Sequence, residues 1–121
     1  MAGLDKIIHE PVRLRIMAAL AALETGQQLE FTTLRDLLKV TDGNLGAHLG
    51  KLEEAGYVQV EKMFVERKPR TFVSASGRGR DTFGEHIKEL KNIISGAEVD
   101  EHLTSRRELQ KMTSKQERSK P

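Results

Sequence analysis

The 121-residue sequence predicts an α+β fold, mainly α with a small β-sheet. Two observations carry that expectation. Apolar residues recur at intervals of three and four through residues 4–23, 34–38, 41–55 and 76–94, the spacing that lines one side of a helix. After Gly56 the interval shortens. Val58 and Val60 alternate with Gln59 and Glu61, and Thr71 to Ala75 form a second β-rich run, together the pattern of a hairpin.

Residues 4–23 read as helical, in one piece or parted near Pro11, a residue suited to a first helical turn. Val12, Ile16, Ala19, Leu20 and Leu23 make one apolar stripe, and Leu14, Met17, Ala18 and Ala21 make another. A helix apolar on two sides is expected to be covered on two sides. Thr25-Gly26 ends it, and Leu29 to Phe31 read as a short extended piece. Thr32 or Thr33 is the expected cap of a second helix, with Leu34, Leu37 and Leu38 as its apolar residues. Lys39-Val40 reads as a tight turn. Thr41 is the expected cap of a third helix that runs to about Ala55 and closes at Gly56. In the hairpin, Glu66 to Pro69 is the polar tip. Ser76 is the expected cap of a last helix, whose seam is Phe83, Ile87, Leu90 and Ile94 and which breaks at Ser95-Gly96. Residues 1–97 are thus one domain, and 98–121 a charged tail that reads as a marginal helix or disordered.

Composition narrows the function. With no cysteine the chain has no disulfide scaffold, thiol nucleophile or thiolate metal site. Aromatic residues are 4% and tryptophan is absent, which argues against a stacking platform for single strands. No apolar run reaches the roughly 18 residues of a membrane span, and Met1 to His9 lack the layout of a secretory signal. A cytoplasmic protein without a membrane partner is the expectation. The net charge is only +2, but residues 62–80 hold six bases (Lys62, Arg67, Lys68, Arg70, Arg78, Arg80) against Glu66 as the single acid. Such a local patch is either a solvated hairpin or the footprint of a polyanion.

At about 100° per residue, Leu45, Leu49 and Leu52 share the core side of the third helix. Gly43, Ala47, Gly50 and Glu54 lie opposite, Asn44, His48 and Lys51 on one shoulder, and Gly46 and Glu53 on the other. Glycine costs about 1 kcal/mol against alanine inside a helix. A bare face compensates if it must approach a groove floor or a phosphate backbone. Asn44 suits an adenine edge and Lys51 a guanine or a phosphate.

The order of elements is helix, short strand, helix, turn, helix, hairpin, helix. The segments FTTLRDLLKVTDGNLGAHLGKLEEAGYVQVEK (31–62) and RKPRTFVSASGRGR (67–80) resemble the winged helix-turn-helix domains of MarR/ArsR-like transcriptional regulators. The resemblance spans roughly residues 7–94. It implies a DNA-binding protein and agrees with the homodimer that the apolar stripes of the first and last helices suggest. No activation segment is visible, which favours a repressor over an activator, and no cofactor is expected. The recognition-helix residues would be Thr41, Asp42, Gly43, Asn44, Ala47, His48 and Lys51, and the wing residues Lys62, Arg67, Lys68 and Arg70. Thr32, Thr33, Arg78 and Arg80 would meet phosphates. Leu4, Ile7, Ile8, Phe83, Ile87, Leu90 and Ile94 would form the dimer interface. Ala47 stands where such families often carry a polar or basic residue, so readout of bases is expected to be thin. A sequence-tolerant architectural DNA binder and a winged-helix protein-interaction module are the competing readings. A small-molecule effector stays open. His86 and His102, with Asp81, Glu85, Asp100 or Glu101, lack metal-ligand spacing, and no nucleophile–base pair or phosphate loop marks an enzyme.

Overall fold

Pro11 starts the first helix rather than sitting inside it. A proline pushes the residue before it out of helical geometry, and Glu10 is extended at φ −107°, ψ 137°. Helix α1 is therefore Pro11–Ala21, with the Glu10 carboxylate capping the Arg13 amide at 2.8 Å. The expected helix over residues 4–10 is replaced by a turn. Asp5 Oδ1 accepts from the Ile7 and Ile8 amides, both at 2.9 Å, which a short polar side chain does in competition with helix.

The structure is a computed structural model that describes residues 4–101, with side chains through Gly96. After α1 come β1 (Leu29–Glu30), α2 (Phe31–Leu38), α3 (Asp42–Glu54), β2 (Val58–Val65), β3 (Lys68–Ala75) and α4 (Gly77–Glu101). The chain divides into two units between Ile87 and Lys88. What was expected of the tail falls, beyond Glu101, outside the described residues.

The core of the first unit is built where the apolar intervals fall. Ile16, Met17 and Leu20 of α1, Leu34 and Leu38 of α2, and Leu45, Leu49 and Leu52 of α3 are buried together with Val58 and Val73 of the sheet. Both stripes of α1 enter this one core, since Met17 is fully buried and Leu14 packs against the cluster. Of the second stripe only Ala18 is exposed, so little of it is left for another subunit to cover. Ile8 is also fully buried, which removes it from the expected dimer surface.

The sheet is antiparallel in the order β1-β3-β2. β1 leads directly into α2, so the cap of α2 is Glu30 and no side chain bonds its amides. Thr32 and Thr33 lie inside its first turn instead. The turn to α3 places Lys39 in the left-handed region at φ 58°. As expected, Thr41 caps α3, its Oγ1 accepting from the Asn44 amide at 3.1 Å, and Gly56 follows it at φ 83°.

The Ser76 hydroxyl accepts from the Gly79 amide at 2.9 Å and donates to the Gly56 carbonyl at 2.6 Å, so one residue both caps α4 and ties it to the exit of α3. Gly79 lies against the Tyr57 carbonyl, where a Cβ would collide with backbone. The expected break at Ser95-Gly96 is absent, and α4 continues to Glu101. One glycine costs a helix only about 1 kcal/mol, less than is needed to end it.

Candidate nucleic-acid interface

Helix α3 turns its three leucines inward and leaves the rest of its surface open. Leu45 and Leu52 have no exposure and Leu49 has 3%. A Cβ at Gly43, Gly46 or Gly50 would meet nothing within 4 Å. The glycines therefore make no packing contact that requires them. Thr41, Asp42, Asn44, Ala47 and Lys51 are all exposed on this helix or at its start.

The start of α3 is held by α2. Arg35 bonds Asp36 through Nε and Asp42 through Nη1, each at 2.9 Å. Hydrogen bonds to Asp36 and then Asp42 push the guanidinium above its ordinary value. The charge of Asp42 is thereby offset at the helix end that presents free amides. Arg35 was not among the expected residues. The turn that brings it beside Asp42, seven positions later, leaves no local signal.

His48 is turned inward. Its Nδ1 is 3.0 Å from Arg13 Nη1 and 3.5 Å from Glu10 Oε1. Arginine can only donate, so the shorter contact requires an unprotonated Nδ1 and places the ring proton on Nε2. Arg13 also donates from Nε to the Ile7 carbonyl at 2.5 Å. The recognition-helix set thus loses much of His48 to a contact with α1.

The wing is a two-residue hairpin, tighter than the four-residue tip expected from Glu66 to Pro69. Val65 pairs with Lys68, and Glu66 and Arg67 form the turn at φ 53° and 69°. Both central residues are left-handed, the geometry that suits the right-handed twist of a hairpin and favours Asn-Gly. Pro69 sits within β3 opposite Phe64. That pair is one step from the hydrogen-bonded closing pair, so the missing amide costs no bond to β2.

The basic residues have separate placements. Lys62, Arg67 and Lys68 are exposed and take part in none of the salt bridges among the described residues. Arg70 reaches back to Glu30, with Nη1 3.2 Å from Oε1. Arg78 lies over the Tyr57 ring, its Cζ 5.6 Å from the centroid. Arg80 donates to the carbonyls of Ala21, Leu23 and Glu24 at 3.2, 3.0 and 3.3 Å. It satisfies orphan carbonyls at and just after the C-terminus of α1, which removes it from the expected phosphate contacts.

Between α3 and the wing is a cleft of about 380 Å³, lined by Phe31, Gly46, Leu49, Gly50, Glu53, Val60, Lys62 and Thr71. Bare helix and wing strands thus border one space. Phe83 packs on the core, while Ile93 and Ile94 of α4 are 47% and 58% exposed. His86, a candidate metal ligand by residue type, faces His9, and no group of three or more potential ligands gathers among the described residues. The side chains of Asp100, Glu101 and His102 lie outside them. No helix among the described residues is long and apolar enough to cross a membrane.

A family profile described as a winged helix DNA-binding domain matches residues 12–94. An uncharacterised protein of Methanocaldococcus jannaschii is 37% identical over 93 residues, covering 77% of this chain and 98% of the relative. A transcriptional regulator homologue from Pyrococcus horikoshii superposes with a TM-score of 0.68 at 33% identity, over 74% of this chain and 86% of that one. NadR, solved with 4-hydroxyphenylacetate, shares the fold at a TM-score of 0.58 and 22% identity, over 90% of this chain and 77% of its own. With an exposed helix following a tight turn, a two-stranded wing beside it and a profile covering most of the sequence, the chain belongs to the winged helix DNA-binding domain family.

Proposed function

We propose that this chain is a transcriptional regulator that binds double-stranded DNA as a homodimer, with α3 in the major groove and the wing on the minor groove and phosphates. The observation that carries the reading is the open face of α3, where a Cβ added at Gly43, Gly46 or Gly50 would meet nothing within 4 Å. A helix bare on that side lies close to a groove floor, and its few long residues then decide what is read. Asn44 and Lys51 are the base-reading residues, with Thr41, Asp42 and Ala47 beside them. Lys62, Arg67 and Lys68 supply wing contacts, Arg70 does so at the expense of its bond to Glu30, and Thr32, Thr33 and Arg78 meet phosphates. Dimer formation rests on Leu4, Ile7, Phe83, Ile87, Leu90 and Ile94. The regulator works in the cytoplasm as a repressor, by occupying its site, and catalyses no reaction.

A second reading has its own support. α3 carries Asp42, Glu53 and Glu54 against Lys51, a net charge of −2, so affinity would come from the wing and be sequence-tolerant, as in an architectural binder. An effector is the remaining partner. NadR holds 4-hydroxyphenylacetate, and the cleft of about 380 Å³ here has room for a small molecule that would wedge α3 from the wing.

Binding to a pool of genomic duplexes, titrated with salt and sequenced, tests both. An enriched palindrome supports the dimeric regulator, because a twofold protein reads half-sites one turn apart. Steep salt dependence without enrichment supports the architectural reading. No binding at low salt, with or without candidate effectors, overturns both.

A further inference from the structure

We propose that Phe64, with Pro69 opposite it, is an apolar wedge by which the wing enters the minor groove of duplex DNA, a contact that rests on the DNA-binding reading above. Phe64 is 76% exposed, more than any other large hydrophobic residue among those described. A solitary exposed apolar residue is ordinary, so its position carries the argument.

The register of the hairpin places Val58, Val60, Lys62 and Phe64 on one face with Ala75, Val73, Thr71 and Pro69 as their partners. The first two pairs pack on the core. Lys62 and Thr71 line the cleft beside Gly46 and Gly50 of α3. Phe64 and Pro69 are the next pair along this face toward the tip.

Charge selects the occupant. Lys62 precedes Phe64 on the same face, and Arg67 and Lys68 follow it at the tip, none of them in a salt bridge among those described. An apolar pair with Lys62 on its own face, and with Arg67 and Lys68 outnumbering Glu66 at the adjoining tip, fits a surface that is polyanionic at its rim and apolar within. The minor groove has both, with phosphates along its edges and sugar and base walls between them. A hydrophobic protein partner would leave those three charges without counterparts. The turn agrees. Glu66 and Arg67 hold left-handed geometry that glycine and asparagine adopt more readily, so a charged side chain is kept at the tip against backbone preference.

The chain has no tryptophan, so Phe64→Trp makes a single reporter. It is mixed with a short duplex carrying an A·T tract at low salt, where phosphate contacts suffice for binding. The expected result is a blue-shifted emission and reduced acrylamide quenching on binding. Phe64→Ser is expected to bind about ten-fold more weakly with an unchanged slope of log K against log salt, because an apolar contact releases no counterions. Unchanged emission on a bound duplex, or Phe64→Ser binding as tightly as the original chain, overturns the wedge and leaves the DNA reading standing. A fall in particle mass for Phe64→Ser by light scattering, with DNA affinity intact, assigns Phe64 to a contact between copies and overturns it too. Failure of the unaltered chain to bind any duplex at low salt overturns the DNA reading itself, and the wedge with it.

Discussion

His86 Nε2 lies 3.2 Å from His9 Nδ1, and this contact joins the segment before α1 to α4. The other His86 nitrogen, Nδ1, accepts from the Asp5 amide at 3.2 Å. An N–H donor at Nδ1 requires a lone pair there, so neutral His86 carries its proton on Nε2 and donates to His9. Asp5 completes the network, its Oδ2 accepting from the Tyr57 hydroxyl at 2.6 Å.

This arrangement predicts a loss of stability in mild acid. Burial and then the neighbouring His9 push His86 below its ordinary 6.5, with the Asp5 charge opposing them. A histidine depressed in the folded state contributes stability that is intact above about pH 6.5 and lost as pH falls toward the folded value. Burial alone would raise Asp5, but hydrogen bonds from Tyr57, Ile8 and Ile7 outweigh it and hold the carboxyl below 3.8, so its contribution is lost only in stronger acid. Urea melts at pH 7.5 and 5.5 should show a lower midpoint at 5.5, and His86→Gln should flatten the difference. Equal midpoints for the unaltered chain would refute a neutral His86.

Arg80 and the wing bases should respond in opposite ways. Arg80→Ala is expected to cost about 1.5–3 kcal/mol of stability, the range for hydrogen bonds from a charged donor, with the salt slope of DNA binding unchanged. Arg67→Ala with Lys68→Ala should leave stability nearly unchanged and flatten that slope by roughly 0.9 for each phosphate contact removed. Thermal melts and salt titrations on the two variants separate the roles.

Gly79→Ala should destabilise the fold by about 1–3 kcal/mol, as overpacking does, because the added Cβ meets the Tyr57 backbone. Gly46→Ala, facing open space, should instead stabilise α3 by up to about 1 kcal/mol. If both variants melt alike, α4 is not seated on Tyr57 as described.

Replacing Glu66-Arg67 by Asn-Gly should raise the melting midpoint, since the left-handed conformation costs about 1–2 kcal/mol per ordinary residue. The same variant should bind duplex more weakly and with a shallower salt slope. Tighter binding to DNA would remove Arg67 from the interface.

Ala47→Arg adds a long donor to the open side of α3 and should change both affinity and site preference in a selection from random duplexes. An unchanged binding profile would show that this face does not meet DNA.

The helices, the hairpin and the caps at Thr41 and Ser76 were legible because each depends on neighbours within about four residues. Leu45, Leu49 and Leu52 were legible as a core face, and the glycines as a bare one, by the same short-range periodicity. The side-chain roles resisted that reading. Arg80 looked like a phosphate ligand until α1 brought the carbonyls of Ala21, Leu23 and Glu24 within reach. His48 looked like a shoulder residue until Arg13 met it from α1. Ile8 looked like dimer surface until the turn at Asp5 folded it into the core. Composition and periodicity determine which segments are helix or strand and which faces are apolar, since backbone geometry repeats locally. Only packing decides which charges are satisfied internally and which remain for a partner. That depends on groups brought together from distant parts of the chain, such as His9 and His86.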